Sequence, residues 1–152
     1  MSDEAVVICR AEAEDIDAIY SLIEKQIVHG SILPMSLEEI KYLLNRFLVV
    51  RINDRVVGIA CLKDYGFCAE LSKVCIDPEY RGRGIAPDLV SSLVKMAIDL
   101  GYKYVFALTV NDTMARIFES QSFVQIDRTL LCRQWSDRYD MSRPSKAFVK
   151  NK

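Results

Sequence analysis

The chain has 152 residues, a length that suits one domain with a single sizeable core. Hydrophobic residues make up 51% and charged residues 27%, which excludes a disordered chain. The net charge is −1, so the sequence lacks the surplus of Lys and Arg typical of a nucleic-acid-binding protein. We therefore expect one globular domain over residues 1–152 and no nucleic-acid partner.

The sequence predicts a cytoplasmic protein without a membrane partner. No apolar run approaches the ~20 residues that a membrane span needs, and the acidic start MSDEAVVICR lacks the order of a signal peptide. The five cysteines are scattered without a C-x-x-C pair, so we expect neither a bound metal nor a disulfide framework. A nucleophilic cysteine paired with the single histidine, His29, is an alternative that the spacing does little to favour.

In the first half of the chain, the apolar spacing predicts two helices and four strands. Ser36 and Glu39 form a capping box that begins the second helix, whose apolar face we extend to Phe47. The turn residues Asn53 and Asp54 predict a hairpin. The predicted elements are a strand at residues 6–10, a helix at 14–28, a helix from 37 to about 47, and strands at 48–52, 56–62 and 68–76.

In the second half, a regular apolar helix is predicted from Ile85 to Leu100, closed by Gly101. An apolar strand at 104–110 follows, then a helix capped by Asn111 or Asp112 and running to about residue 121. The remaining tail should add one or two strands. This order of elements predicts an α/β or α+β domain built on one mixed sheet.

The segment VCIDPEYRGRGIAPDLV places two glycines and two arginines at the start of that regular helix. A helix N-terminus has unpaired backbone N–H groups and partial positive charge. Gly82 and Gly84 let the backbone approach a ligand closely, and Arg81 and Arg83 add charged donors. The segment therefore indicates a site for a pyrophosphate.

Other phosphate-binding and structural interpretations fit this segment less well or remain open. A P-loop requires Lys followed by Ser or Thr after Gly84, and a dinucleotide fingerprint requires glycine where Pro87 stands. An RNA-binding RG tract normally repeats, whereas this one is single. On spacing alone, a solvated loop that only caps the helix remains open.

Taken with its surroundings, the segment resembles the acetyl-CoA pyrophosphate loop of the GNAT acyltransferase superfamily, through Arg81-x-x-Gly84-x-Ala86. The order of elements along nearly the whole chain is also similar to that family. NDTMARIFESQSF resembles the family's N-x-x-A-x-x-x-Y-E-x-x-G-F, with Asn111, Phe118, Glu119 and Phe123 in place. The resemblance implies a single N-acetyltransferase domain whose mixed, mostly antiparallel sheet is flanked by about four helices.

The resemblance also implies acetyl-CoA as cosubstrate, bound where the two central strands splay apart, and direct transfer in a ternary complex. A strand end would offer backbone groups to the pantetheine arm, and the loop amides would hold the pyrophosphate. The implied cofactor-binding residues are Val74, Cys75, Ile76, Arg81, Gly82, Arg83, Gly84, Ile85, Ala86, Asn111 and Phe118.

Acetyl transfer to an amine needs a base, and Glu70 is the candidate. At period two, Ser72 and Val74 share its face, although a bulge common in this family would change that phase. A surface glutamate or an ion pair with Lys63 or Lys73 is equally compatible with the residues alone.

For the remaining catalytic steps, the backbone N–H of Val74 is the candidate oxyanion donor. The family's proton-donating tyrosine is replaced here by Phe118, so either another group protonates the leaving thiol or CoA leaves as a thiolate.

Three segments give a closer resemblance, to the acetyltransferase domain of N-acetylglutamate synthases, which acetylate the α-amine of glutamate in arginine biosynthesis. They are EDIDAIYSLIEKQIVHGSILPMSLEEI, AELSKVCIDPEYRGRGIA and SRPSKAFVK. Met35 replaces that family's turn arginine and Lys73 a cysteine. Lys73, Arg133 or Arg138 could supply the lost charge. The substrate-binding residues that this resemblance suggests are Leu33, Lys73, Arg143, Ser145 and Lys146.

Other functions stay open alongside glutamate acetylation. The acceptor could be another small amine or a protein amine, and a non-catalytic acyl-CoA-binding module is a further alternative. Arg143 and Lys146 could equally belong to a solvated basic tail. An exposed sheet edge or the terminal strands could support a homodimer.

Overall fold

The computed structural model describes residues 5–28 and 32–151. His29 lies outside these ranges, as does the first half of the predicted break at residues 29–34. Within those ranges, seven strands form one sheet. The strands are β1 (Val6–Arg10), β2 (Phe47–Ile52), β3 (Arg55–Asp64), β4 (Cys68–Ile76), β5 (Tyr104–Thr109), β6 (Val124–Ile126) and β7 (Lys146–Asn151). The helices are α1 (Ile16–Ile27), α2 (Leu37–Tyr42), α3 (Ile85–Asp99), α4 (Asp112–Ser120) and α5 (Arg133–Ser136).

The strands lie in the order β1-β2-β3-β4-β5-β7-β6. Every neighbouring pair is antiparallel except β4 and β5, which are parallel and connected by α3. This confirms the predicted mixed, mostly antiparallel sheet in an α/β fold. No helix in the described ranges combines the length and apolar character needed to cross a membrane.

Local sequence patterns account for most of the element ends. Asn53 and Asp54 have φ angles of 51° and 63°, as a two-residue hairpin turn requires. The Ser36 side chain accepts a hydrogen bond from the Glu39 N–H and caps α2, and Gly101 follows α3 with a φ of 89°.

The largest departure from the predicted boundaries concerns the end of the second helix and the start of the strand after it. The second helix does not reach Phe47, because it ends at Tyr42 and a single 3₁₀ turn follows. Phe47 instead begins β2, where it is fully buried and lies opposite Cys61 of β3. Sheet pairing and burial overrode the helical spacing at this position. The tail also contains the short helix α5 in addition to its two strands.

Helices cover both faces of the sheet. On one face, α3 and α4 pack through Leu89, Leu93 and Phe118 onto a large apolar cluster that includes Leu71. On the other face, α1 and α2 pack around Ile23 in a second cluster. A third cluster near the end of the sheet is centred on Trp135 of α5, which is 2% exposed.

Gly58 of β3 is in close contact with the strand that leads to the glycine loop. A Cβ added at Gly58 would lie 2.9 Å from Cδ1 of Ile76 and 3.1 Å from Cγ2 of Val50. Because cores tolerate added volume poorly, we expect Gly58→Ala to lower the free energy of unfolding by about 1–3 kcal/mol in urea denaturation.

The matched control for this prediction is the double variant Gly58→Ala with Ile76→Val. Valine lacks the Cδ1 atom that the new methyl group would meet, so the double variant should lose less stability than the sum of the two single variants. Additive losses would contradict the proposed contact.

Candidate active site

The parallel pairing of β4 and β5 stops partway along both strands. It joins residues 68–71 to residues 104–107 and ends at Leu71 and Ala107. Beyond this point a cavity of about 100 Å³, here called the central cavity, opens between the strands. It is lined by Gln26, Ile32, Leu33, Glu70, Leu71, Ser72, Lys73, Val74, Leu108, Thr109, Asn111, Met114, Phe118, Tyr139 and Arg143.

A β-bulge in β4 changes the face of the sheet on which the later side chains of the strand pack. Three residue steps, from Ser72 to Cys75, lie opposite two steps on β3, and Lys73 at the bulge has a φ of 55°. Val74 therefore packs in the cluster that contains Leu71, and Cys75 lies in the cluster on the other face. The unbulged alternation, which placed Val74 on the Glu70 face, is wrong for this reason.

Glu70 is a half-buried carboxyl group at the wall of the central cavity. Burial raises its pKa above the usual 4.5, whereas the positive charges of Lys63 and Lys73 act in the opposite direction. The Tyr65 hydroxyl donates a hydrogen bond to Glu70 Oε1 at 3.3 Å. Neither lysine forms an ion pair with Glu70 among the described residues, so the ion-pair interpretation of Glu70 is not supported.

Lys73 is 9% exposed, which is unusual for a lysine, and burial lowers the pKa of its ammonium. Lys63 lowers that pKa further, and Glu70 raises it. The bulge thus holds a positive charge in a confined space beside a carboxyl group.

The glycine segment forms the wall of a second cavity of about 330 Å³, here called the loop cavity. Gly82 and Gly84 both have a φ of 79°, a conformation that side chains disfavour, and Gly84 is the N-cap of α3. Gly84, Ile85 and Ala86 thus bring the N-terminus of α3 to the wall of this cavity, and a helix N-terminus favours an anion. The lining residues are Gln26, Val74, Ile76, Tyr80, Arg81, Gly82, Gly84, Ile85, Ala86, Asn111, Thr113, Met114 and Ile117.

The two arginines of the segment have different surroundings. Arg81 lines the loop cavity and donates hydrogen bonds to the Ile76 carbonyl at 3.3 Å and to Gln26 Oε1 at 2.8 Å. Arg83 lies over the Tyr80 ring, 4.7 Å from its centroid, and is not among the lining residues.

The start of α4 lies at the boundary between the two cavities. The Asn111 side chain accepts a hydrogen bond from the Met114 N–H at 3.1 Å, so Asn111 is the helix cap, and both residues line both cavities. Phe118 is 2% exposed and packs against Phe123 and Phe148, and its ring borders the central cavity.

Glu70 also lines a groove of about 570 Å³, here called the outer groove. It shares Glu70, Lys73 and Tyr139 with the central cavity. The central cavity also shares Gln26, Val74, Asn111 and Met114 with the loop cavity. The loop cavity, the central cavity and the outer groove thus adjoin one another in that order, and this series of adjoining spaces is here called the path. The outer groove is lined by Leu33, Glu39, Tyr42, Leu43, Lys63, Asp64, Tyr65, Glu70, Ser72, Lys73, Trp135, Arg138 and Tyr139.

The structure brings only part of the predicted substrate set into this path. Leu33, Lys73 and Arg143 line the central cavity. Ser145 and Lys146 instead line a separate depression beside Asn111. Among the candidates for the missing charge, Arg138 lines the outer groove, whereas Arg133 lines none of the three spaces.

Three residues that the sequence analysis did not select also belong to the site. Gln26 of α1 lines both cavities, Tyr65 contacts Glu70, and Tyr139 borders the central cavity and the outer groove. Gln26 and Tyr139 approach Glu70 from distant parts of the chain, and Tyr65 reaches it through the turn between β3 and β4, so no spacing pattern identified them. Met35 is buried in the cluster around α1 and α2, so it acts as a core residue.

A family model and several relatives match most of this chain. The model described as the acetyltransferase (GNAT) family matches residues 16–123. The amino-acid acetyltransferase of Vibrio cholerae is 28% identical over 142 residues, covering 92% of this chain and 32% of that protein. The enzyme of the same name from Aeromonas salmonicida is 28% identical over 144 residues, with the same coverage. The chain thus spans about a third of the length of these relatives.

Solved structures show the same fold. N-acetylglutamate synthase from Neisseria gonorrhoeae, complexed with coenzyme A and N-acetyl-glutamate, superposes with a TM-score of 0.89 at 23% identity, covering 99% of this chain and 36% of that one. Rv2747 from Mycobacterium tuberculosis, in complex with CoA and NLQ, gives a TM-score of 0.82 at 23% identity, covering 95% of this chain and 98% of that one.

The electrostatic cost of Glu70 leads to a stability prediction. The pKa of Glu70 is raised in the folded state, so the folded protein binds a proton there more tightly than the unfolded chain does. This contribution to stability is fully present below pH 4.5, the usual pKa, and is lost as pH rises through the pKa of the folded state. Glu70→Gln should therefore raise the free energy of unfolding at neutral pH, and this gain should shrink to nothing at about pH 4.

Urea denaturation of both proteins across this pH range measures the effect. Glu119→Gln is the matched control, because Glu119 is an exposed glutamate of α4 outside the three spaces. A gain that does not change with pH, or a loss of stability at neutral pH, would show that burial does not disfavour the Glu70 charge.

Proposed function

This chain belongs to the acetyltransferase (GNAT) family, and we propose that it transfers the acetyl group of acetyl-CoA to the α-amine of L-glutamate. The observation that carries the proposal is that Glu70, Lys73 and Arg143 line the central cavity, which adjoins the loop cavity through shared lining residues. The names of the relatives that cover most of this chain agree with an amino acid as acceptor.

In this proposal acetyl-CoA occupies the loop cavity and extends into the central cavity. The backbone amides from Arg81 to Ala86, including that of Arg83, hold the pyrophosphate at the start of α3. The end of β4 at Val74, Cys75 and Ile76 has lost its pairing with β5, and its backbone groups bind the pantetheine arm as an added strand would. Asn111 and Phe118 border the thioester.

Glu70 acts as the general base that removes a proton from the attacking amine. Because the pKa of Glu70 is raised towards neutral pH, its carboxylate is a stronger base than that of an exposed glutamate. The Val74 N–H donates to the oxygen of the tetrahedral intermediate, where negative charge develops. Transfer is direct, within a ternary complex.

The positive side chains around Glu70 bind the carboxylates of the acceptor. Lys73 lines both the central cavity and the outer groove, Arg143 lines the central cavity, and Leu33 supplies an apolar wall. Ser145 and Lys146 contribute without lining the central cavity. The Ser145 hydroxyl contacts the Tyr139 hydroxyl, and Lys146 lies in the depression beside Asn111.

A second candidate function is acetylation of a different amine, either a metabolite or a protein amine. The outer groove is much larger than the central cavity and contains the carboxyl groups of Glu39 and Asp64 as well as basic side chains. The burial of Met35 also leaves no charge at the position where N-acetylglutamate synthases have an arginine.

We place the reaction in the cytoplasm, in arginine biosynthesis, with a small-molecule amine and no nucleic acid or membrane as partner. The described cysteines are all unpaired, which fits a reducing compartment. A homodimer could form through the exposed edge of the sheet, where Val6 and Val7 of β1 are about half exposed.

The direct test is release of free CoA from acetyl-CoA by the purified protein, with L-glutamate beside a panel of amino acids, polyamines and peptides. We expect glutamate-dependent release that falls about 100-fold or more in Glu70→Gln, because general bases contribute factors of this size. Release with another amine only would refute glutamate as acceptor. CoA binding without release for any acceptor would favour a non-catalytic acyl-CoA-binding module.

Lys73 supplies a second test, of the acceptor carboxylate. We expect Lys73→Gln to raise the KM for L-glutamate about tenfold, since one ion pair in a confined site contributes about 1.4 kcal/mol or more, and to leave the KM for acetyl-CoA unchanged. Arg133→Gln is the matched control, because Arg133 lies outside the three spaces. Equal effects of both variants on the KM for glutamate would contradict a role for Lys73.

A further inference from the structure

Phe118 of α4 borders the central cavity but offers it no proton donor. Phe118 has no polar atom, and its ring is fixed by Phe123 and Phe148 at centroid distances of 5.2 and 5.8 Å. When acetyl-CoA reacts with an amine, the sulfur leaves with the bonding electron pair. A thiol has a pKa near ~8.5, so a donor at the sulfur accelerates this step.

Tyr139, in the segment between β6 and β7, is a residue with a hydroxyl group that lines the same cavity. It lines both the central cavity and the outer groove, as Glu70 does. Its hydroxyl lies 3.1 Å from Ser145 Oγ and accepts a hydrogen bond from Arg143 Nη1 at 3.3 Å. The same cavity is lined by Val74, the proposed oxyanion donor, and by Phe118, so Tyr139 borders the space in which the proposal places the thioester.

The ring of Tyr139 is held in place by packing. It stacks on Trp135 with centroids 4.6 Å apart and planes at 27°, and Trp135 in turn contacts Phe106 of β5 edge-on. Arg128 donates hydrogen bonds to the carbonyls of Met141 and Arg143, which fixes the chain on the far side of Tyr139. A side chain held in this way needs little reorganisation to act on a bound ligand.

We propose that Tyr139 is the proton donor to the CoA sulfur. This inference rests on the proposed acetyl transfer. As the amine nitrogen bonds to the acetyl carbon and the carbon–sulfur bond breaks, the sulfur takes the proton of the Tyr139 hydroxyl. The amine proton leaves through Glu70, and solvent returns a proton to Tyr139. Arg143 and Ser145 donate hydrogen bonds to the phenolate that forms for a moment.

The other polar side chains of the central cavity suit this role less well. The Asn111 oxygen accepts from the Met114 N–H as a helix cap, and an amide is not an acid at neutral pH. Lys73 is a charged donor, but it interacts electrostatically with Lys63 and Glu70, and the proposed function assigns it to the acceptor carboxylate. Tyr139 combines an acidic hydroxyl with a cation placed to stabilise its conjugate base.

A binding experiment tests the contact without any acceptor. Isothermal titration at about pH 9, where the CoA thiol is largely ionised, compares CoA with desulfo-CoA, in which hydrogen replaces the thiol group. We expect Tyr139→Phe to weaken CoA about tenfold, the size of a hydrogen bond to a charged group, and to leave desulfo-CoA unchanged. Equal affinities of the wild type and Tyr139→Phe for CoA would overturn the proposal, as would equal weakening of both ligands.

Kinetics then test proton transfer with the best acceptor. We expect Tyr139→Phe to lower kcat about 10- to 100-fold with little change in the KM for acetyl-CoA, and the double variant Tyr139→Phe with Phe118→Tyr to recover part of that loss by presenting a hydroxyl from α4. Tyr20→Phe is the matched control, because Tyr20 of α1 lines none of the three spaces. An unchanged kcat in Tyr139→Phe would overturn the role in catalysis.

These two experiments separate the inference from the function on which it rests. A wild-type protein that binds CoA more tightly than Tyr139→Phe, yet acetylates no amine in the panel, would refute the proposed function and support the contact with sulfur. Acetyl transfer that is insensitive to Tyr139→Phe would support the proposed function and refute the role of Tyr139. Failure to bind CoA at all would overturn both.

Discussion

The site depends on the point at which the parallel pairing of β4 and β5 ends. After Leu71 and Ala107 the two strands no longer hydrogen-bond to each other, and their backbone groups become available to a ligand. A parallel connection through α3 brings the carboxyl ends of both strands to the same edge of the sheet. The glycine loop, which follows β4, and the start of α4, which follows β5, therefore meet at one opening.

The bulge in β4 adds a second constraint on the same strand. One extra residue changes the phase of the strand, so that Val74 and Ile76 rejoin the face that packs on α3, while Lys73 is held with a positive φ in a confined space. Burial disfavours the charged forms of both Glu70 and Lys73. The rest of the fold must offset this cost, as is common where a site needs perturbed ionisable groups.

The segment between β6 and β7 completes the site with little regular structure of its own. Its side chains are held by a small number of specific contacts: Trp135 is buried against the sheet, and Arg128 bonds to the backbone of residues 141 and 143. These contacts bring Tyr139 and Arg143 to within the same cavity as Glu70, although about half the chain separates them in sequence. This part of the central cavity is thus formed by the tertiary contacts of one irregular segment.

The sequence by itself determined the elements whose causes are local. The Asn53-Asp54 turn, the apolar periodicity of α3 and the glycines before it act within a few residues, so the hairpin, the helix and the glycine loop at its start could be predicted. Only the tertiary structure decided that Phe47 joins a strand and that Tyr139 reaches the central cavity. Those outcomes depend on burial and contacts between distant segments, which leave no periodic pattern along the chain.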